Sequence, residues 1–302
     1  VSYNRNWWGN WYVVDNRATN FEDYTPYSIN APVDSRLPNG GGYRIDGLYN
    51  LVPTKVGRVD ELAQSYKNFG EQTENWQGVD VSVQARLRNG LTVQGGTSTG
   101  RRLADACAVR AGLPELGSND TGLSTNSSVT ANVNALGGGP YALSVRNPYC
   151  RIAEPYRTDF RGLATYTVPK VDVQVAATWV SIPGDSLRAD YVVTNAWIAS
   201  GPNPLRNPDG SLRALSGAST VTVNLIPPAT MWGERRNNLD LRIAKILRYG
   251  GMRTQVGVDI FNLLNADTVT NYNYGFVPNG TWLRPTTIVP ARYARIGVQV
   301  DF

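Results

Sequence analysis

The chain has 302 residues, 18% of them charged and 10% aromatic, with two cysteines, no histidine and a formal charge of +5. Lacking histidine, it has no Ser-His-Asp or Cys-His mechanism and no histidine-ligated metal, and two cysteines supply too few soft ligands for tetrahedral zinc. The mild basic excess is spread along the sequence and gives nucleic-acid binding little support; mean hydropathy is -0.31, and no run approaches the roughly 18 apolar residues of a transmembrane helix.

In chain order, a first strand is predicted over 1–14, rising into a loop over 15–75. Residues 79–88 then alternate, with Val79, Val81, Val83, Ala85 and Leu87 on one face and Asp80, Ser82, Gln84, Arg86 and Arg88 on the other. Asn89-Gly90, a strong hairpin signal, turns the chain into a return strand over 91–98. A loop over 104–155 contains both cysteines, Cys107 and Cys150. The second strand pair runs over 156–168 and 171–182, joined at Pro169-Lys170. After a loop over 183–235, the third covers 238–249 and 252–264 and turns at Gly250-Gly251. A loop over 265–285 leads to the last strand, 294–302, in which Ala294, Ile296, Val298, Val300 and Phe302 alternate with polar or small residues. Segments 189–197 and 220–226 also have strand character and extend the hairpins in this reading.

Alternation alone suits either the edge strand of a soluble sandwich or a barrel strand with an apolar side to lipid and a polar side to the lumen. The connections favour the barrel. Tight turns and long Gly-, Pro-, Asn- and Ser-rich excursions alternate strictly, and bacterial outer-membrane barrels have short periplasmic turns and long extracellular loops. Connections beyond about 12–15 residues are uncommon in compact soluble domains. The expectation is an all-β, antiparallel transmembrane barrel segment of eight spanning strands in one unit, 1–302.

In that frame Gln84, Arg86, Gln174, Arg242, Gln255, Asp259 and Gln299 are lumen-facing, while Ile296, Val298, Val300 and Phe302 form the barrel-closing strand. Trp11, Trp76, Trp179, Trp232 and Trp282 fall near loop-side strand ends, with Tyr166 and Tyr249 near the turns, as interface girdles require. Lys245 shares the face of Leu241, Ile243 and Leu247, close enough to the turn to snorkel. Cys107 and Cys150 are expected to form a disulfide in an oxidising compartment. Asp159, Asp172, Asp240 and Asp259 sit at alternating strand positions and read as lumen-facing groups rather than a glycosidase pair. No catalytic residue, cofactor or metal is expected.

Segment 256–265, Val-Gly-Val-Asp-Ile-Phe-Asn-Leu-Leu-Asn, resembles the penultimate-strand signature of TonB-dependent outer-membrane receptors, followed as there by one loop and an aromatic-terminated strand. Ala31-Pro32-Val33-Asp34 with Leu37-Pro38, and segments 75–87, 162–174 and 237–247, further resemble the Oar-like branch with a carboxypeptidase-regulatory-like domain. The resemblance implies the last third of a 22-stranded barrel whose plug, coupling box and regulatory domain are absent here. It implies energised uptake of a large solute of the siderophore, cobalamin or oligosaccharide class, in the outer membrane of a Gram-negative bacterium. Implied partners are lipid and lipopolysaccharide, the barrel-assembly machinery through the last strand, and the TonB complex through the missing N-terminal part. Two other readings remain: a self-contained small barrel with a structural or adhesive role, and a secreted carbohydrate-binding β-sandwich using Trp197 and Trp282.

Overall fold

The computed structural model describes residues 1–88, 90–117, 145–146, 148–249 and 251–301. Asn89, Gly250 and Phe302 lie outside the described residues, as does much of the loop between the cysteines. The chain is mostly antiparallel β-sheet, and among the described residues no helix is long and apolar enough to cross a membrane.

Eight long strands form one meander: β1 (Ser2–Trp8), β2 (Thr73–Arg86), β3 (Leu91–Asp105), β4 (Arg157–Val168), β5 (Val173–Ile182), β6 (Arg236–Tyr249), β7 (Met252–Phe261) and β8 (Tyr293–Asp301). Each pairs antiparallel with its chain neighbour, and the short strand Arg151–Ala153 adds to the loop end of β3. The sheet is open: among the described residues β1 pairs only with β2, and β8 only with β7.

The register sorts the two faces in the middle of the sheet, with Leu163 and Ala176 as apolar exceptions on the polar face. Ala85, Val93, Ala164, Ala177, Leu241, Ile260 and Ala294 stand side by side in one apolar row across seven strands. One residue along, on the opposite face, Arg86, Thr92, Thr165, Ala176, Arg242, Asp259 and Arg295 form a polar row. A one-residue slip in any pair would exchange the faces, so the alternation itself fixes this register. The apolar face is uncovered: Val83 is 60%, Ile243 44%, Val258 39% and Ile296 77% exposed.

Three tight connections join the strands at one end. In the first, Gly90 at φ 88° carries the left-handed backbone that the turn needs. The second spans four residues, because Lys170 and Asp172 both adopt positive φ and Arg248 holds the Asp172 carboxylate at 2.9 Å. Val171 and Asp172 therefore belong to the turn rather than to a strand, and Asp172 is not a lumen-facing group. The third is a two-residue hairpin loop, bounded by the Tyr249–Met252 pair.

At the other end the long loops are folded rather than irregular. The first strand stops at Trp8, since Asn10 turns the chain at φ 60°, and Tyr12–Asn16 pairs with Glu61–Ser65 outside the main sheet. The segments expected to extend the hairpins instead form a separate four-stranded sheet, with Asp190–Thr194 and Thr220–Asn224 at its centre. Tyr27, Ile29 and Leu48 of the first loop, Val193 and Leu225 of the third, and Phe276 of the last bury one another in a common hydrophobic core. The apolar residues that pack a core thus lie in the loops, leaving the sheet's apolar face free.

Candidate functional site

On the polar face, charged side chains meet across the last three strands. β6, β7 and β8 place Arg242, Asp259 and Arg295 in register, and the Asp259 carboxylate accepts from Arg242 at 3.0 Å and Arg295 at 2.9 Å. Toward the loops on the same face of β6 follow Asp240, Asn238 and Arg236, because residues two apart share a face. Asp240 accepts the Asn238 side-chain amide at 3.0 Å and the Asn262 backbone N–H at 2.8 Å.

Asn262 closes this end. Its φ of 49° and that of Asn265, 51°, turn the chain sharply after β7. The Asn262 side chain donates to the carbonyls of Ala266 at 2.8 Å and Pro290 at 2.9 Å, and accepts the Ala266 N–H at 2.9 Å. Asn265 accepts the Arg292 N–H at 2.9 Å. The two asparagines of the Phe-Asn-Leu-Leu-Asn segment thus pin both ends of the last loop over the polar face. Its hairpin, Val269–Tyr272 with Pro285–Ile288, stands beside that face.

Between this hairpin and the sheet lies a cavity of about 480 Å³, lined by Arg236, Asn238, Asp240, Phe261, Ile288 and Tyr293 among others. The Phe261 and Tyr293 rings stack at 4.7 Å with an angle of 19°. A second cavity of about 230 Å³ continues toward Arg242, Asp259 and Arg295, sharing Asp240 and Phe261 with the first. A third, of about 270 Å³, lies elsewhere on the polar face, between Trp76, Arg157 and Asp185. At its rim the Glu154 carboxyl is pushed above its usual range, mainly by burial.

Gln84, Arg86, Gln174, Arg242, Gln255, Asp259 and Gln299 all stand on the polar face by register. Only Arg242 and Asp259 meet at a cavity; Gln255 faces Gln299 across β7 and β8, and Gln84 and Arg86 lie on β2, four strands from β6. Ile296, Val298 and Val300 stand on the apolar face of β8. Lys245 shares that face and donates from its ammonium to the Val171 carbonyl in the neighbouring turn.

The tryptophans need correction as a girdle. Trp179 stands on the apolar face, stacked on Phe160 at 6.0 Å. Trp11 is buried against Tyr66, edge on at 5.3 Å, because the chain has already left β1. Trp76 has the parity of Asp80 and lies on the polar face, over the bare backbone of Gly78 and Gly100. Trp232 is a loop residue covered by the Arg157 guanidinium at 3.7 Å from its ring centroid. Trp282 is buried in the loop core, its indole N–H donating to the Arg188 carbonyl at 2.9 Å. Trp197, half-buried, packs against that same core and donates its indole N–H to the Asn30 carbonyl at 2.9 Å. Trp7, exposed on the apolar face of β1, is an aromatic that the sequence reading overlooked.

Cys107 and Cys150 are joined as a disulfide, which ties the helix Cys107–Gly112 to the chain just ahead of the strand on β3. Among the described residues no group of three or more carboxylates or cysteines is placed to hold a metal. The site residues that sequence reasoning missed are Arg236, Asn238, Phe261, Asn262 and Tyr293. The first two share the parity of Arg242, and Phe261 and Asn262 belong to the receptor-like segment. No protein-family model matches the chain, and no curated protein matches it.

Proposed function

We propose that the chain is the C-terminal barrel portion of a TonB-dependent outer-membrane receptor, serving energised uptake of a large solute of the siderophore, cobalamin or oligosaccharide class. The observation that carries this reading is the pair of adjacent rows, one wholly apolar and uncovered, the other polar but for Ala176 and carrying the Arg242–Asp259–Arg295 ion pairs. In water the first row would gain nothing from its apolar side chains; in a bilayer it is the lipid face, and the second row is the wall of a lumen. The open edges of the sheet support membership of a larger barrel, since unpaired backbone groups in hydrocarbon each cost several kcal/mol. The protein is not an enzyme in this reading. The loop cap faces the medium, lipid and lipopolysaccharide surround the apolar face, and the last strand engages the barrel-assembly machinery. The TonB complex acts through a plug ahead of this chain.

The test is fractionation of native Gram-negative cells followed by intact mass. The expected species resists carbonate washing, enters detergent from the outer-membrane fraction, and is well above the 33.0 kDa of this chain, with peptides preceding Val1. Recovery in the soluble fraction overturns the membrane reading. A membrane species of 33.0 kDa overturns the receptor and leaves a self-contained barrel.

A further inference from the structure

The cavity between the last-loop hairpin and the polar face has three features that select a ligand. The first is size: about 480 Å³ falls within the range of small-molecule sites. The second is a stacked aromatic pair, Phe261 and Tyr293, whose facing sides cover each other, with the Arg295 guanidinium 5.4 Å from the Phe261 ring centroid; the surface the rings have left joins Val180, Ile288 and Val289 in an apolar wall. The third is Arg236, an exposed residue that lines the cavity and whose side chain has no hydrogen bond or ion pair among the described residues. The other arginines of this region are engaged: Arg242 and Arg295 hold Asp259, and Arg235 donates to the Ser181 hydroxyl at 3.0 Å and the Thr158 carbonyl at 2.8 Å. Asp240 sits four residues from Arg236 on the same strand face, roughly 13 Å along an extended chain.

We propose that this cavity binds a small, flat organic monoanion, its anionic group on Arg236 and its ring system against Phe261 and Tyr293. A guanidinium fork matches a carboxylate or a phosphoryl group, and the outer surface of the aromatic pair supplies apolar contact, face or edge, for a ring. The Asp240 carboxylate repels a second negative group at the far end, which sets both the orientation and the single charge. The proposal rests on the reading of the polar face as the wall of a solute path and names the solute chemistry that one part of the wall accepts.

The test is a fluorescence titration of 2-naphthoate against the detergent-extracted protein, with uncharged 2-naphthamide as the matched control. The expected result is binding of the naphthoate at least about tenfold tighter than the amide, as a charged hydrogen-bonded contact gives. Arg236→Gln should abolish that preference, Arg86→Gln should leave it intact, and Phe261→Leu should weaken both probes while the disulfide and circular dichroism stay unchanged. Equal binding of the two probes, a preference surviving in Arg236→Gln, or no binding by the wild-type chain overturns the proposal. Failure of the membrane reading registers separately, as protein soluble without detergent. An Arg236-dependent preference in that soluble protein still upholds the site.

Discussion

The Asp240 carboxylate accepts the backbone N–H of Asn262 at 2.8 Å, so that a polar side chain of one strand fixes the point where the next strand ends. Asn262 in turn grips Ala266 and Pro290 with its own side chain, in a left-handed conformation that asparagine tolerates better than most residues. Asn262→Ala should cost about 1–3 kcal/mol through lost buried hydrogen bonds. It should also make the last loop the first site of proteolytic nicking. Asn262→Gly, which relieves the backbone but lacks the amide, should remain nearly as susceptible if the side-chain bonds carry the effect. Limited proteolysis with mass mapping distinguishes the two.

Reduction of the Cys107–Cys150 bridge releases a closure of 43 residues. In the chain-entropy account that is worth about 4 kcal/mol. The expected outcome is a lower Tm on reduction and in Cys107→Ser/Cys150→Ser, together with earlier amide exchange in Arg151–Ala153, whose pairing on β3 starts directly after Cys150. An unchanged Tm and exchange pattern would show that the bridge leaves the folded state indifferent.

Acid should loosen the cap through Asp34. The Arg36 side chain hydrogen-bonds this carboxylate and holds it well below its ordinary value of 3.8, with the Arg36 and Asn279 backbone N–H groups adding to the effect. Arg36 also donates to the carbonyls of Gly280 at 2.8 Å and Val277 at 3.1 Å, which couples the first loop to the last. A folded carboxyl with a depressed pKa stabilises above the unfolded value and loses that contribution as pH falls through the folded one. The Asp34 contribution to wild-type cap stability should therefore be flat above pH 3.8 and decline below it, while Asp34→Asn is weaker at neutral pH and shows less of that decline. Thermal unfolding followed across pH, with exchange of residues 276–282, reads both.

Alkali should act on a different joint. Tyr43 and Tyr149 both donate to the Leu225 carbonyl oxygen, at 2.8 and 2.7 Å. Burial pushes the Tyr43 phenol from 10.0 up to about 12, and burial followed by the neighbouring Tyr43 pushes Tyr149 up as well. A raised folded pKa contributes stability that is complete below the unfolded value and is lost as pH rises through the folded one. Cap stability should fall from pH 10.0 to about 12, and Tyr43→Phe should remove part of that fall. Phenolate absorbance and unfolding transitions measured together give the result.

The lipid assignment predicts opposite tolerances on adjacent positions. Ile243→Lys, on the apolar face, should destabilise the protein in vesicles by about 2–4 kcal/mol if it lies at the bilayer midplane. Ala244→Ser, one residue along on the polar face, should not pay that depth-dependent cost, and Lys245→Met should be nearly neutral because the native ammonium already reaches the Val171 carbonyl at the turn. Urea unfolding in phospholipid vesicles gives the comparison. Equal effects at Ile243 and Ala244 would remove the distinction between the faces.

Much of the sheet could be read from the residues. Alternation in β2, β5 and β8, with short turns between pairs, indicates which side chains share a face, and the polar placement of Gln84, Arg242 and Asp259 follows from parity alone. Parity could also have placed Trp76, which matches Asp80 rather than Val79; closeness to a strand end says how high a residue sits, not which way it points. The loop cap was not readable in the same way. Ile29, Val193, Leu225 and Phe276 come from three separated loops and follow no common period, so their shared burial depends on tertiary placement that a local pattern does not encode. The cavity at Arg236 was hidden for a related reason: one wall is sheet and the other is a hairpin held in place by asparagine side chains.

The loop core has a consequence for the order of events during folding. Ile29 and Ile45 come from the first loop, whereas Phe276 and Trp282 come from the last. Their contacts span most of the chain, and contacts of such sequence separation carry the loop-closure cost that slows folding. Neighbouring hairpins can zip locally while the cap waits for the final loop, so completion of that core is a late event. Protection of Ile29 and Ile45 against exchange would then serve as a clock for the finished molecule.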